Sequence, residues 1–348
     1  SYSRLVFHTT ARSGMWNRLP DRDLVDGWIE RALELASPES PARARALVAQ
    51  AYWHPERMDA AREASAIAEG LADRELRSYA FDARSITAFA AGQYEQASAW
   101  AERRLDLVHE ITDPDHLADI YASPIPGHLG RGRFREARRF AALHDEIAEE
   151  LTPHHRVHGV SLFLEIEELA AGWTRIRELA SRAERAVGAN IATPCVRNAR
   201  ALLVCALALT RLGDDEEARR LERAANELGM QGYGHVLDAP RLQLALARGE
   251  LDEAERLASQ PIVPRGQNWF SLSAQAGRLD MLTALRDRSR TEAEATPELL
   301  ESTGYLQPFA LRALGVARED ETLIRHAEER FEAMDLGWHA AQTRALGA

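Results

Sequence analysis

The chain has 348 residues, of which 45% are apolar and 28% charged; its net charge is −11, and all 43 of its basic residues are arginine. A chain longer than about 250–300 residues outgrows a single rounded core, so it must either divide or extend its core in one direction. The negative charge argues against a nucleic-acid or anionic-membrane binder, and the missing lysine excludes a Schiff-base or phosphate-loop lysine.

Apolar residues recur at spacings of three and four along the chain, which is the pattern of amphipathic helices. Leu162, Ile166 and Leu169 form one such stripe. Runs with the alternation of β-strands are missing, and the most apolar run, residues 201–209, is too short to span a bilayer. Two cysteines in so long a chain suggest a reducing compartment. We therefore expect an all-α, soluble and cytoplasmic protein.

Helix starts are marked along the chain by a proline that follows a capping side chain. In chain order these pairs are Ser40-Pro41, Asp113-Pro114, Thr152-Pro153, Thr193-Pro194 and Thr296-Pro297. One stretch departs from the pattern, because Ser123-Pro124-Ile125-Pro126 must kink or interrupt a helix.

A phrase recurs between the helices: glycine, one residue, a large apolar residue, two residues, alanine. It occurs at residues 92–97, 132–137 and 249–254. Looser copies begin at Gly172, Gly213, Gly277 and Gly315, so the successive spacings from Gly92 are 40, 40, 41, 36, 28 and 38 residues. We expect each glycine to end the first helix of a pair, since it adopts the left-handed conformation at no steric cost.

Such helix pairs cannot bury their apolar faces alone, and a repeat of this length is typical of a solenoid. The period of about 40 exceeds the roughly 34 residues of a tetratricopeptide repeat, so the helices should be longer by about a turn. The predicted fold is an all-α, right-handed α-solenoid of antiparallel, tetratricopeptide-like helix pairs. Residues 1–260 should form its regular part. Residues 261–348 should form a less regular block that continues it, because a loop at residues 260–266 coincides with the shortest spacing.

Known catalytic motifs are missing from the sequence: there is no phosphate-binding loop, no dinucleotide-binding glycine pattern, no HExxH and no GxSxG. We therefore expect a chain that is not an enzyme and needs no cofactor.

Two helix starts supply the candidate ligand-binding residues. His154 and His158 are four apart, a spacing that can bind a metal, but the nearby sequence offers no third ligand, so no metal site is assigned. A polar lining, a pH response or anion binding are the other interpretations of this helix start. One repeat later, Cys195 is either a buried core thiol or a reactive one. The six residues predicted to line a concave groove are His154, His155, His158, Arg197, Asn198 and Arg200.

Several phrases resemble the C-terminal helical-repeat region of bacterial multidomain regulators that carry an adenylate/guanylate cyclase domain or an AAA-type ATPase module upstream. These phrases lie at residues 13–33, 151–158, 192–198 and 330–344. The resemblance implies a sensor or scaffold that binds an effector or partner and biases the upstream module.

Three hypotheses about function follow. The first is a non-catalytic regulatory module that binds a protein or small effector on its concave face, without nucleic acid or membrane. The second is an enzyme or metal-binding protein with a site around His154, His158 and Arg197. The third is a self-assembling scaffold, since exposed solenoid ends can stack. The sequence does not determine the oligomeric state.

Overall fold

The computed structural model describes residues 1–260 and 270–347, which form helices joined by short turns. The first helices are α1 (Tyr2–Ala11), α2 (Arg22–Leu35), α3 (Pro41–Trp53), α4 (Met58–Glu69), α5 (Arg74–Ala90) and α6 (Tyr94–Leu105). Then follow α7 (Pro114–Ala122), α8 (Ile125–Gly130), α9 (Phe134–Glu149), α10 (Pro153–Ala170), α11 (Trp173–Ala189), α12 (Val196–Arg211) and α13 (Asp215–Glu227). The last are α14 (Gly234–Arg248), α15 (Leu251–Ala258), α16 (Phe270–Leu285), α17 (Arg288–Glu294), α18 (Pro297–Glu301), α19 (Gln307–Arg318), α20 (Glu321–Ala333) and α21 (Gly337–Arg344).

Successive helices pair antiparallel, and each pair packs on the next. The first helices of the pairs are α3, α5, the interrupted α7–α8, α10, α12, α14, α16 and α19, and each of them packs beside its second helix. The inner layer is the more apolar: nearly all of α12 is buried, whereas α13 buries only Ala218, Leu221 and Ala225. The chain is therefore an all-α solenoid of helix pairs, as predicted. The described residues contain no β-strand, and none of their helices combines the length and apolarity needed to cross a bilayer.

Four of the predicted glycine turns are confirmed. Gly92, Gly132, Gly213 and Gly249 have φ angles of +73°, +70°, +84° and +73°, and each lies between the two helices of a pair. The residue two positions after each of Gly92, Gly132 and Gly249 begins the second helix, so the large apolar residue of the phrase sits in its first turn.

Three other glycine positions were predicted wrongly. At Gly172 the preceding residue, Ala171, takes the left-handed conformation instead, with φ +53°. Gly277 and Gly315 lie inside α16 and α19. The close approach of a neighbouring helix explains Gly315, because a Cβ there would come within 2.8 Å of the Ile324 side chain on α20.

The helix starts agree with prediction at three caps. The side chains of Ser40, Asp113 and Thr296 each accept a backbone N–H from the first turn of α3, α7 and α18. Thr193 is not the cap of α12, because that helix begins at Val196 with Cys195 in extended conformation at its N-cap. The interruption at residues 123–126 is confirmed, since α7 ends at Ala122 and α8 begins at Ile125.

The predicted loop at 260–266 lies outside the described residues from Pro261 onward, and the boundary between 1–260 and 261–348 stays a prediction. On its C-terminal side the helix pairs continue, with α16 packed on α14 and α19 packed on α16. This block also returns to the middle of the chain, because the Tyr305 hydroxyl donates a hydrogen bond to the Leu169 carbonyl at 2.8 Å.

Candidate functional site

The segment after α1 packs against the residues before α14 and lines part of a cavity. The Leu19 N–H donates to the Gln231 carbonyl and the Gln231 N–H to the Asn17 carbonyl, both at 3.0 Å. The Tyr233 hydroxyl donates to the Ser13 carbonyl at 2.7 Å. The cavity measures about 550 Å³, and its wall is formed by residues from α1, α3, α5, α7, α9, α10, α12, α14 and α16.

Histidine is concentrated in the wall of this cavity. Of the chain's 12 histidines, the cavity is lined by His8, His116, His144, His154, His155, His158 and His235. They come from α1, α7, α9, α10 and α14, elements far apart in sequence. A wall so rich in histidine can donate hydrogen bonds, accept them or ligate a metal, depending on the protonation of each ring.

The structure brings together four of the six predicted site residues. His154, His155, His158 and Arg197 all line the cavity. Asn198 and Arg200 are not part of its lining. The sequence reasoning placed those two on the groove face because they lie within one turn of Arg197, yet they pack between helices.

Asn198 and Arg200 make structural contacts away from the cavity. The Asn190 side-chain amide donates to the Asn198 side-chain oxygen at 3.1 Å, which joins the end of α11 to the start of α12. The Arg200 guanidinium donates to Glu168 at 2.5 Å, and Glu168 also accepts the Ser273 hydroxyl at 2.7 Å. These bonds connect α10, α12 and α16 in the inner layer.

His155 is held at both ring nitrogens. Its Nε2 lies 2.8 Å from a carboxylate oxygen of Asp115, and its Nδ1 lies 2.7 Å from the Thr152 hydroxyl. The hydrogen bond from His155 lowers the pKa of the Asp115 carboxyl. The bond between His155 and Asp115 joins the starts of α7 and α10 in the cavity wall.

His154 and His158 lie side by side one turn apart, with ring centroids 4.4 Å from each other. Burial lowers the pKa of His154 to about 4 and that of His158 well below its usual value, so both rings are neutral at neutral pH. The Nε2 of His158 is 3.5 Å from the sulfur of Cys195, while the Nδ1 of His154 has no hydrogen-bond partner within the described residues.

Arg197 is buried beside these rings and is neutralised by a bidentate ion pair. Its Nε and Nη2 donate to the two carboxylate oxygens of Glu165 at 3.0 and 3.2 Å. Its Nη1 lies 3.4 Å from the Nδ1 of His158, at the long limit of a hydrogen bond. The Arg197 charge is therefore matched within the wall.

A second buried cation organises the wall on the α5–α7 side. The Arg104 side chain is completely buried; it donates to Asp82 at 2.8 Å and also binds Asp119. Asp82 accepts the Tyr52 hydroxyl at 2.8 Å as well. Although burial opposes ionisation, the Arg104 charge lowers the pKa of the Asp119 carboxyl.

Cys195 lies against the cavity with only 2% of its surface exposed, and burial raises the pKa of its thiol. Cys205 is also buried, and the two cysteines are not bonded to each other. Cys195 thus combines the buried position expected of a core thiol with a place beside two histidines.

The sequence reasoning overlooked Asp115, His116 and His144. The first two were detectable, because the cap-proline pairs at residues 113, 152 and 193 recur with the period of the helix pairs. The residues directly after those prolines are Asp115, His154 and Cys195, and the structure places all three on the cavity wall. His144 carries no such signal, since it lies near the end of a second helix.

Comparison with known proteins agrees on the fold. No family model and no curated protein sequence matches the chain. A solved structure of a Rap protein complexed with Competence and Sporulation Factor is similar, with a TM-score of 0.54 and 14% sequence identity, over 99% of this chain and 95% of that one. At this identity the similarity establishes a shared fold over the whole length: this chain has the helical-repeat architecture of the Rap protein.

Proposed function

We propose that this chain is a non-catalytic regulatory module whose effector, a small molecule or short peptide, occupies the histidine-lined cavity. The observation that carries the proposal is the cavity itself, which residues from nine of the described helices line. Its volume of about 550 Å³ falls in the range of about 300–1,000 Å³ common for ligand sites.

The lining suits an amphipathic effector. Aromatic and apolar side chains supply contact area, among them Phe7, Tyr52, Trp53, Tyr79 and Phe270. The histidines add polar groups that are neutral at neutral pH where burial lowers their pKa. Such a wall would bind a ligand that has an apolar body and a few hydrogen-bonding groups.

The similar fold supports a separate factor as ligand. The Rap protein was solved in complex with Competence and Sporulation Factor, so a solenoid of this architecture binds a factor in that case. We infer by analogy that this chain also binds an effector that is not part of itself.

A binding role is favoured over catalysis because the charged groups of the wall are paired with each other. Arg197 is paired with Glu165, Arg104 with Asp82 and Asp119, and Asp115 with His155. A catalytic group has to be available to the reacting atoms, whereas these side chains already hold protein partners.

The resemblance to cyclase- and ATPase-linked regulators suggests how binding would be transmitted. An upstream module would connect to α1, and α1 supplies part of the cavity wall through Phe7, His8 and Ala11. An effector that contacts α1 would therefore change the position or stability of the element nearest that module.

The test uses chelator-treated protein, a set of metabolites and short synthetic peptides, and thermal unfolding. A true effector present at about 100 times its Kd should raise Tm by about 4 °C. Ala11→Phe, which fills the cavity from α1, should abolish the shift. The matched variant Ala66→Phe, on the exposed face of α4, should keep it. The proposal fails if no compound stabilises the wild type or if Ala11→Phe responds equally.

A further inference from the structure

Three metal-ligating side chains meet on the cavity wall, and two of them come from one helix and the third from the next repeat. His154 and His158 lie on α10, and Cys195 lies at the N-cap of α12. One ligand atom of each lies within 4.8 Å of the other two. The spacing of the two histidines is visible in the sequence, whereas the third ligand, Cys195, comes near them only in the folded chain.

The distances are close to those of an occupied site. Two ligands of one tetrahedral zinc ion, a nitrogen and a sulfur, lie about 3.6 Å apart. The Nε2 of His158 and the sulfur of Cys195 are already 3.5 Å apart. The ligand atom of His154 lies within 4.8 Å of the other two, so it has to approach them by at most about 1 Å.

Unsatisfied nitrogen atoms in the wall also indicate a missing partner. The Nδ1 of His154 is buried and has no hydrogen-bond partner among the described residues, and the same is true of the Nδ1 of His144. His144 is 5% exposed and lines the same cavity. A buried nitrogen without a partner is costly, and a bound metal ion or its water would relieve that cost.

The neighbouring charge is compatible with a cation. Arg197 is the nearest positive group, and Glu165 neutralises it through two hydrogen bonds. Binding through the Nε2 of His158 moves that ring's proton to Nδ1, which can then no longer accept from Arg197, so this 3.4 Å contact at the long limit of a hydrogen bond is given up. The guanidinium keeps both of its bonds to Glu165 in that state, so little is lost.

We propose that His154, His158 and Cys195 form a binding site for a divalent transition-metal ion such as Zn²⁺. The Cys195 thiol would release its proton to solvent as the ion binds. Two imidazole nitrogens and the resulting thiolate select zinc-like ions over Mg²⁺ or Ca²⁺, which prefer oxygen ligands. Three protein ligands leave a fourth position open toward the cavity. A donor atom of a molecule in the cavity can occupy that position, so the ion would form part of the wall.

The site is tested with Zn²⁺ and Co²⁺ added to the full chain after chelator treatment. Calorimetry should show one equivalent of Zn²⁺ bound, and the Co²⁺ form should show thiolate-to-cobalt absorption. Cys195→Ser should weaken Zn²⁺ binding about tenfold or more and remove that absorption. His154→Gln should weaken binding to a similar degree, and since this residue is partly exposed, the variant tests the site even if Cys195→Ser does not fold.

Two matched controls separate the site from other residues of the same types. Cys205→Ser removes the other cysteine, which lies on α12, and His326→Gln removes an exposed histidine on α20, outside the cavity. Both should retain stoichiometric Zn²⁺. The proposal is overturned if the wild type binds no stoichiometric Zn²⁺, or if Cys195→Ser and His154→Gln bind it as tightly as the controls. Effector binding to chelator-treated protein is a separate measurement, so either proposal can fail alone.

Discussion

Arg104 shows at the scale of one residue how this solenoid tolerates charge in its interior. The side chain is fully buried between α5 and α7, and its guanidinium also donates to the Ser78 hydroxyl at 3.0 Å. Asp82 and Asp119 supply the countercharges. A buried charge is stable only when it is paired and hydrogen-bonded, so the three residues depend on one another.

Arg104→Met should lower the free energy of unfolding by about 3–5 kcal/mol, because it leaves two carboxylates without their cation in the interior. Arg57→Met is the control; it removes an arginine whose ion pair with Asp59 is largely exposed, and it should cost less than about 1 kcal/mol. Chemical denaturation monitored by circular dichroism measures both. Equal effects of the two substitutions would contradict the assigned role of the buried pair.

At the scale of secondary-structure elements, the glycines in the turns between paired helices make the repeat detectable in the sequence. Gly92 lies in the turn between α5 and α6, and Gly132 lies in the turn between α8 and α9. Both have positive φ. Their surroundings differ. A Cβ at position 92 would meet no atom within 4 Å, whereas one at position 132 would lie 2.6 Å from the sulfur of Met334. One glycine serves backbone conformation alone, and the other also admits a packing contact.

Gly92→Ala should therefore destabilise the protein by about 1 kcal/mol, the cost of a left-handed alanine. Gly132→Ala should cost up to about 1 kcal/mol more, because the flexible end of the Met334 side chain must also move. Comparing the unfolding free energies of the two variants isolates the packing cost from the conformational one. A Gly132→Ala protein as stable as Gly92→Ala would show that Met334 adjusts without loss.

Contacts between distant parts of the chain close the whole molecule around its cavity. The N-terminal segment is held by the Tyr233 hydroxyl, which donates to the carbonyls of Ser13 and Trp16 at 2.7 and 3.0 Å. The C-terminal block is held by the Tyr305 hydroxyl on Leu169. These bonds join residues separated by 136 to 220 positions, so they connect repeats that are far apart in the chain.

Tyr233→Phe should lower amide protection in α1 and the turn after it by about fivefold, the equivalent of about one hydrogen bond, while leaving α19 unchanged. Tyr305→Phe is its matched counterpart and should loosen the start of α19 without affecting α1. Hydrogen–deuterium exchange followed by mass spectrometry distinguishes the two patterns. Uniform loosening of the chain by either variant would contradict a local role in closure.

The sequence by itself determined the helix pairs, their period and most of their turns, because these depend on local properties: apolar spacing, proline with a capping residue, and glycine with positive φ. The predicted turns at Gly277 and Gly315 were wrong. A glycine inside a helix, where it allows a neighbouring helix to approach closely, cannot be distinguished by sequence from a glycine in a turn. The sequence also identified four side chains of the cavity wall from two helix starts.

Tertiary structure alone decided which polar residues share a space. Asn198 and Arg200 lie within one turn of Arg197, yet they pack into the inner layer, because one turn of a helix carries side chains in every direction. The seven histidines and Cys195 share one cavity although they come from helices far apart in sequence, because successive repeats pack side by side. Curvature accumulates from small rotations at each interface between repeats, and no short stretch of sequence encodes that sum.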